Sequence, residues 1–372
     1  MRIGINTRFL LKDKMEGFGW YTFEICKRLA EKHPEHEFVF FFDRTFDSSF
    51  VFGVNVTQVV LSPPARHPIL FRIWFDWVIP KALKKHKIDV FFSPDGYLSL
   101  RTNVKQIGTI NDINFEHFPE DIPKGARKYL RSFFPRFAKK AAHILTVSEY
   151  SKQDIAKTYG ITTEKITAIW NGTNPKFRPL LESEILATRK TYSDEKPHFL
   201  FVGSLHPRKN LKRLMLAYEH LLREAPETEN DLLIIGAALW KGEKVDTWVS
   251  KETLNRIHFK GYIPLDTLTK IVGAADVFVY VPYFEGFGIP LVEAMQCGVP
   301  IISGDKTSLP EVAGEAALYC DPFSVEDIAE KMKLIASDSD LKKELSQKGL
   351  VRAKMFSWDK SADMVWDVLM KK

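Results

Sequence analysis

Between positions 276 and 300 the order of residues leaves little choice of local fold. Asp276-Val277-Phe278-Val279-Tyr280-Val281 is rich in β-branched and aromatic residues and is closed by Pro282, which predicts a buried strand ending there. Pro290 suits the first turn of a helix, where its missing N–H has no partner to lose, and Gly298 suits the left-handed position just past the last turn. The helix between them is about two turns long. Its unpaired N–H groups and partial positive charge lie beyond the strand's carboxyl end, which is where open α/β sheets bind ligands. An anionic ligand fits such a place.

Two carboxylates flank that helix start. Glu285 lies in the loop approaching the anion site, and Glu293 lies in the first helical turn, where a carboxylate accepts a pair of hydroxyl hydrogen bonds. A phosphate flanked by polyol-binding carboxylates suggests a sugar nucleotide. Taken singly, Glu293 could as well complement the helix dipole and Glu285 be a solvated loop acid. Together, Glu285-Gly286-Phe287-Gly288-x-Pro290-x-x-Glu293-Ala294-Met295-x-x-Gly298-x-Pro300 resembles the E-x7-E signature of retaining GT-B glycosyltransferases, family GT4 in particular.

At 372 residues the chain exceeds a usual single core, so two domains of roughly 180 residues each are expected. Hydrophobic residues at 45% and charged residues at 27% exclude a disordered chain. Apolar runs such as Phe38–Phe42 fall far short of the roughly 20 residues a membrane-spanning helix needs. Met1-Arg2-Ile3-Gly4-Ile5-Asn6 passes straight into a strand pattern without an apolar signal core, so a cytoplasmic location is expected. Cys26, Cys297 and Cys320 are widely spaced and form no C-x-x-C pair; they read as buried apolar residues, with no disulfide or zinc site.

The net charge of +6 favours anionic partners, and its distribution says more than its sum. From Lys124 to Lys140 there is no acid, and Arg127, Lys128, Arg131, Arg136 and Lys139 interleave with Tyr129, Leu130, Phe133, Phe134 and Phe137. A second basic-aromatic stretch runs from Arg66 through Arg72, Trp74, Trp77, Lys81, Lys84 and Lys85 to Lys87. Such segments are the sequence form of peripheral attachment to an anionic membrane surface. The competing reading makes Phe133 and Phe137 core contacts of a helix whose other side is solvated. No nucleic-acid-binding motif accompanies the modest charge, so a nucleic-acid partner is not expected.

The chain reads as two similar halves. Residues 2–6 form a strand, Met15-Glu16-Gly17-Phe18-Gly19 a glycine loop, and Trp20–Ala30 a helix with one apolar face. Phe199–Val202, the loop from Gly203 to Pro207 and the helix Leu211–Arg223, with Asn210 as N-cap candidate, repeat the arrangement. Strands at 90–92, 107–110, 144–147 and 232–235 alternate with helical segments, the mark of parallel sheets with crossover helices. Two doubly wound Rossmann-like α/β domains are expected, an acceptor-side domain over 1–178 and a nucleotide-sugar domain over 179–355. Prolines and charge between Asn174 and Pro197 mark the boundary. The resemblance adds a cleft between the domains and a closing helix over 356–372 that returns to the N-terminal domain.

Expulsion of a nucleoside diphosphate builds negative charge, so cations aimed at it lower the barrier. Arg208 and Lys209 end the loop Gly203-Ser204-Leu205-His206-Pro207; alone they would pass for a solvated basic turn. The family carries a phosphate-binding Lys in a G-x-x-x-P-x-K-[GN] segment, which matches Lys209; many members have Arg where this chain has Ser204, and Arg208 is expected to supply the second cation. The resemblance further places Glu285 and the Gly286-Phe287-Gly288 backbone at the transferred sugar, Ile289 and Leu291 beside it, and Glu293 on the ribose. Gly17 and Gly19 match the family's glycine loop on the acceptor side. Relatives commonly read His-Asp where this chain has Asn111-Asp112, and asparagine can hydrogen-bond a sugar hydroxyl but cannot take up a proton at neutral pH. His117 reads as a satisfied loop histidine, and Ser148-Glu149 resembles the family's V-S-x-x-S/T turn, which implies a helix cap with a sugar contact within reach.

What the resemblance implies is a retaining glycosyltransferase moving a hexosyl unit from a nucleotide-diphosphate sugar to a glycan or lipid-linked acceptor. The loop at 203–210 is similar to those of bacterial mannosyltransferases of surface polysaccharide assembly, hence mannose. No cofactor and no metal are expected: Asp112-Ile113-Asn114 is the nearest approach to a D-x-D metal triplet and lacks its second carboxylate. P-loop and complete dinucleotide fingerprints are missing at Gly17 and Gly203. Two other readings stand beside this one: a non-catalytic sugar-nucleotide-binding protein of the same fold, and a sugar-nucleotide epimerase.

Overall fold

Seven strands of the described chain pair in one sheet and six in another, all in parallel. The first contains β1 (Arg2–Asn6), β2 (Glu37–Phe42), β3 (Val56–Val60), β4 (Val90–Ser93), β5 (Lys105–Thr109), β6 (His143–Thr146) and β7 (Ile166–Ala168), in the order β3-β2-β1-β4-β5-β6-β7. The second contains β8 (His198–Val202), β9 (Asp231–Ile235), β10 (Ile257–Phe259), β11 (Val277–Tyr280), β12 (Ile301–Gly304) and β13 (Ala317–Cys320), in the order β10-β9-β8-β11-β12-β13. The computed structural model describes the chain except for residues 13, 14, 16, 66, 237–244 and 372. It divides into two compact units, Met1–Gly172 with Ser357–Lys372, and Thr173–Phe356.

The near-continuous apolar strands follow from burial on both faces. Along β2, Phe38, Phe40 and Phe42 enter one core layer with Ile25, Leu29, Val365 and Leu369. Val39 and Phe41 enter the opposite layer with Trp74, Phe75, Phe134 and Phe137. Each such aromatic side chain is worth about 1.5–3 kcal/mol of burial. In the second unit Phe199, Phe201, Val277 and Val279 pack on Leu214, Met215 and Tyr218 of the helix Leu211–Glu224.

The last helix, Trp358–Met370, belongs to the first unit. Trp358, Val365 and Leu369 are buried against the helix Gly17–Lys32 and its neighbours. Ser361 Oγ donates to the Trp170 carbonyl at 2.6 Å, and Lys32 pairs with Asp363 at 2.8 Å. Gly172 makes the docking sterically feasible, because a Cβ there would lie 2.3 Å from the Trp358 backbone nitrogen.

The structure refines several local expectations. The helix after β1 begins at Gly17, so Gly17 and Gly19 lie in its first turns and not in a loop before Trp20. The two units divide between Gly172 and Thr173, beside the proline-rich stretch; within that stretch the helix Glu182–Tyr192 belongs to the second unit, where its Arg189 donates to the Ala274 carbonyl at 2.9 Å. Asn210 stands at the N-cap position but makes no side-chain cap bond, its amide being used elsewhere. In the helix Lys124–Lys140 the aromatic residues Tyr129, Phe134 and Phe137 are buried in the core, while Lys128, Arg131, Arg136 and Lys139 are exposed. That aromatic face therefore serves packing. Arg66 lies outside the described residues; the rest of its stretch folds as Pro68–Ile73, a wider π turn Trp74–Val78 and Ile79–Lys85.

Candidate active site

The site of the second unit gathers at the carboxyl ends of β8, β11, β12 and β13. β11 ends at Tyr280, and after the loop the helix Ile289–Gln296 begins with Pro290 in its first turn. Gly288 holds the N-cap position at φ 99°, a left-handed conformation that a side chain would strain, and a Cβ there would lie 3.0 Å from Leu309. Gly298 takes the left-handed position after the helix, at φ 70°. Ile289 opens the helix, and Leu291 is buried with its N–H donating 3.0 Å to the Gly288 carbonyl.

Glu285 is buried, at 6% exposure, and is no solvated loop acid. Its carboxylate is shared by two cations: Lys209 Nζ makes a short contact with Oε1, and Arg208 Nη1 lies 3.2 Å from Oε2. The Tyr280 hydroxyl donates to Oε1 at 3.0 Å and accepts from Lys209 Nζ at 2.7 Å. Burial alone pushes the Glu285 carboxyl up, but the charges of Arg208 and Lys209 and their hydrogen bonds outweigh it and hold the group below its ordinary range. Arg208 is fixed a second time, by donating to the Phe284 carbonyl at 3.1 Å.

Residues that the sequence pattern did not single out complete the frame. Glu285 N–H donates to Thr307 Oγ1 at 3.1 Å, and Ser308 Oγ donates to the Glu285 carbonyl at 2.9 Å and to that of Phe287 at 3.2 Å. The Asn210 amide donates to the carbonyls of Val281 and Pro322 at 2.9 and 2.6 Å, tying the loop after β8 to those after β11 and β13. Tyr280 was legible only as a residue of a buried strand, and nothing in sequence marked its hydroxyl. Gly203 donates to Ile235 O at 2.9 Å, and a Cβ on Gly236 would overlap the Gly203 carbonyl at 1.7 Å, so the ends of β8 and β9 touch through backbone alone. Ser204 follows at this crossing, half-buried.

Glu293 contrasts with Glu285. It lies in the second turn of the short helix and not in the first as expected, because the helix already begins at Ile289; it is half-buried there, and among the described residues no side chain donates to its carboxyl. Burial therefore acts unopposed and pushes its carboxyl up to about 7. Two nearby acids are thus set apart by environment, one held ionised by cations and one left in want of donors.

In the first unit the remaining candidates stand at the carboxyl ends of β1, β5 and β6. A Cβ on Gly19 would lie 2.9 Å from the Phe9 carbonyl, so this glycine lets the helix start pack on the loop leaving β1; Gly17 is exposed and unobstructed. Asn111, just after β5, has a buried Oδ1 without a hydrogen-bond partner. Ser148 caps the helix Glu149–Tyr159 by accepting from Ser151 N–H at 3.0 Å, and Glu149 lies 3.5 Å from Lys152. His117 Nε2 sits 2.8 Å from Asp154, a paired position. Among the described residues there is no group of three or more His, Cys, Asp or Glu placed to hold a metal ion.

Comparison with known proteins follows the same division. The model of Glycosyltransferase Family 4 matches residues 15–177, and that of Glycosyl transferases group 1 matches residues 184–352. The O-antigen chain mannosyltransferase B of Escherichia coli is 29% identical over 361 residues, 94% of either chain. The O-antigen chain mannosyltransferase RfbU of Salmonella typhimurium is 28% identical over 214 residues, 58% of this chain and 56% of that one. Among solved structures, WaaG, a glycosyltransferase involved in lipopolysaccharide biosynthesis, aligns over 100% of both chains with a TM-score of 0.77 at 16% identity. Anabaena HepE in complex with UDP and glucose aligns equally fully, also at 0.77 and 16%. At that identity the structures establish the fold. With one family model on each unit and a relative spanning almost the whole length, the chain belongs to the GT4-type glycosyltransferases of GT-B fold.

Proposed function

We propose that this enzyme is a retaining, metal-independent hexosyltransferase of surface-polysaccharide assembly, taking mannose from a nucleotide-diphosphate sugar to a glycan or lipid-linked acceptor. The observation that carries the reading is the Lys209–Arg208–Glu285 cluster beside the start of a helix whose Glu293 carboxyl has no donor of its own. Glu293 would accept the two ribose hydroxyls. Lys209 and Arg208, held in place by Glu285 and Tyr280, would meet the diphosphate as negative charge develops on it. The Gly286–Gly288 backbone and the helix start would lie along the sugar and its phosphate.

The glycosyl C1–O bond to the diphosphate breaks toward an oxocarbenium-like state, and the acceptor oxygen bonds C1 on the same face. That same-face attack keeps the anomeric configuration, and the acceptor's proton passes to the departing phosphate oxygen, so no protein base is required. Asn111, which can hydrogen-bond a sugar hydroxyl but cannot take up a proton at neutral pH, is compatible with that course. The mannose assignment rests on the two O-antigen mannosyltransferases among the relatives.

Peripheral contact with an anionic membrane from the cytoplasmic side is part of the proposal. Among the described residues no helix is long and apolar enough to cross a membrane. Ile69, Ile73 and Trp77 are nevertheless exposed beside Arg72, Lys81, Lys84 and Lys85. Apolar anchors ringed by cations suit an anionic surface. The primary test is a thermal-shift panel of UDP-, GDP-, ADP- and dTDP-sugars, followed by NMR of the product's anomeric proton. Stabilisation by GDP-mannose and a product of unchanged configuration are expected; inversion would overturn the mechanism, and stabilisation by a different nucleotide sugar would overturn the donor assignment.

A further inference from the structure

Two cavities of the first unit differ in charge. The larger, about 610 Å³, lies against the helix Lys124–Lys140, and Arg127, Lys128, Arg131 and Lys139 line it opposite the single acid Glu116. The smaller, about 390 Å³, forms where the loops leaving β1 and β2 meet, Leu10 and Lys12 on one side and Arg44, Thr45, Phe46 and Asp47 on the other. Here the charges cancel. Lys12 Nζ pairs with Asp47 at 2.9 Å across the two loops, and Arg44 is held by Asp43 through bonds of 2.6 and 2.8 Å.

A charge-balanced cavity gives a phosphate no net attraction, yet it keeps directional hydrogen-bonding groups. The Arg44 guanidinium, held by buried Asp43 and with five N–H groups that exceed what Asp43 can take, offers donors on a fixed frame, and the exposed Thr45 hydroxyl lies beside it. Leu10 and Phe46 supply the apolar wall, with Phe46 stacked on Phe42 at 4.9 Å between ring centres. Polar groups at fixed angles beside an aromatic face match a pyranose ring, which has hydroxyls on its rim and C–H bonds on its faces.

The cavity lies at the carboxyl end of the sheet that also carries Asn111. In strand order β4 separates β1 from β5, so the ends of those two strands stand about 10 Å apart. That is farther than one sugar ring reaches. We propose that this cavity is a subsite for a neutral sugar of the acceptor glycan, a residue removed from the hydroxyl that is glycosylated. The proposal rests on the transferase reading above and deepens it, since it makes the acceptor an oligosaccharide with at least two sugars and not a bare lipid phosphate.

The test compares glycosides of one, two and three α-linked mannose units as acceptors. With the wild-type chain, KM is expected to fall about tenfold from the monosaccharide to the longer acceptors, equivalent to about 1.4 kcal/mol. Thr45→Trp, an exposed position at which the larger side chain fills the cavity, and Phe46→Ala should both abolish that ratio, whereas Lys157→Ala on an exposed helix face should keep it. A ratio that survives in both cavity variants, or a wild type indifferent to acceptor length, overturns the subsite and leaves the transferase standing. Failure of the wild type to bind any nucleotide sugar overturns the transferase reading and the subsite with it.

Discussion

Replacing Glu293 by Gln should make the protein more stable and a worse enzyme. The carboxyl ordinarily titrates at 4.5 and is raised to about 7 by burial with no compensating donor. The folded chain therefore binds more protons than the unfolded chain between those values. Stability contributed by the neutral acid is complete below about 4.5 and is lost as the pH climbs to 7. At 1.36 kcal/mol per unit the full shift would cost about 3 kcal/mol, and because Glu293 is partly exposed a discounted cost of about 1–2 kcal/mol is the better figure. Gln cannot ionise, so at pH 8 the variant should gain that amount, raising the melting temperature by roughly 3–6 °C for a unit of this size. At pH 4.5 the two proteins should melt together. If Glu293 holds the donor ribose as proposed, loss of its charge-assisted hydrogen bonds, about 1.5–3 kcal/mol, should weaken donor binding roughly tenfold to a hundredfold. Calorimetry at the two pH values, with donor titration at pH 8, measures both effects. A variant less stable at pH 8, or one that binds donor unchanged, would refute the account of Glu293.

Glu285→Ala removes the shared partner of two half-buried cations, and should destabilise the second unit by about 3–5 kcal/mol while lowering turnover more than donor affinity; unchanged turnover would remove Glu285 from the reaction. Tyr280→Phe keeps the ring and deletes only the hydroxyl bridge, so a loss of about 1 kcal/mol in stability is expected by denaturant titration. In the proposed mechanism Lys209 and Arg208 supply the charge a metal would, so EDTA should leave transfer intact; rescue of a chelated enzyme by manganese or magnesium would contradict this. Replacing Ile73 and Trp77 by Ser should weaken sedimentation with anionic vesicles, which should also fall as salt shortens the screening length to about 10 Å at 0.1 M. Equal behaviour with neutral vesicles would favour a soluble acceptor.

The strand, loop and helix around Pro290 were legible because each of their constraints is local. Proline at the first turn and glycine at a left-handed position restrict their own backbones, and a buried parallel strand announces itself by an unbroken apolar run. Gly17 and Gly19 show where local reading fails. They resemble loop residues, yet they fold as the first turns of a helix, because the Phe9 carbonyl packs where a Gly19 Cβ would stand. The basic helix Lys124–Lys140 shows a second failure. Its aromatic residues fit a membrane face or a core face equally well by periodicity, and the packing of Phe134 and Phe137 against Trp74 and Phe75 selected the core.

Sequence alone determined the two parallel-sheet halves and the glycine and proline turn before Glu293, since these follow from periodicity and backbone restriction. Tertiary structure decided the protonation chemistry. Glu285 and Glu293 are the same residue type eight positions apart, and nothing local distinguishes a carboxylate held down by Lys209 and Arg208 from one pushed up to about 7. That difference arises because the loop after β8, fastened by Asn210 to the ends of β11 and β13, brings its cations to one acid and not to the other. Charge, unlike periodicity, acts through space between strands distant in the chain.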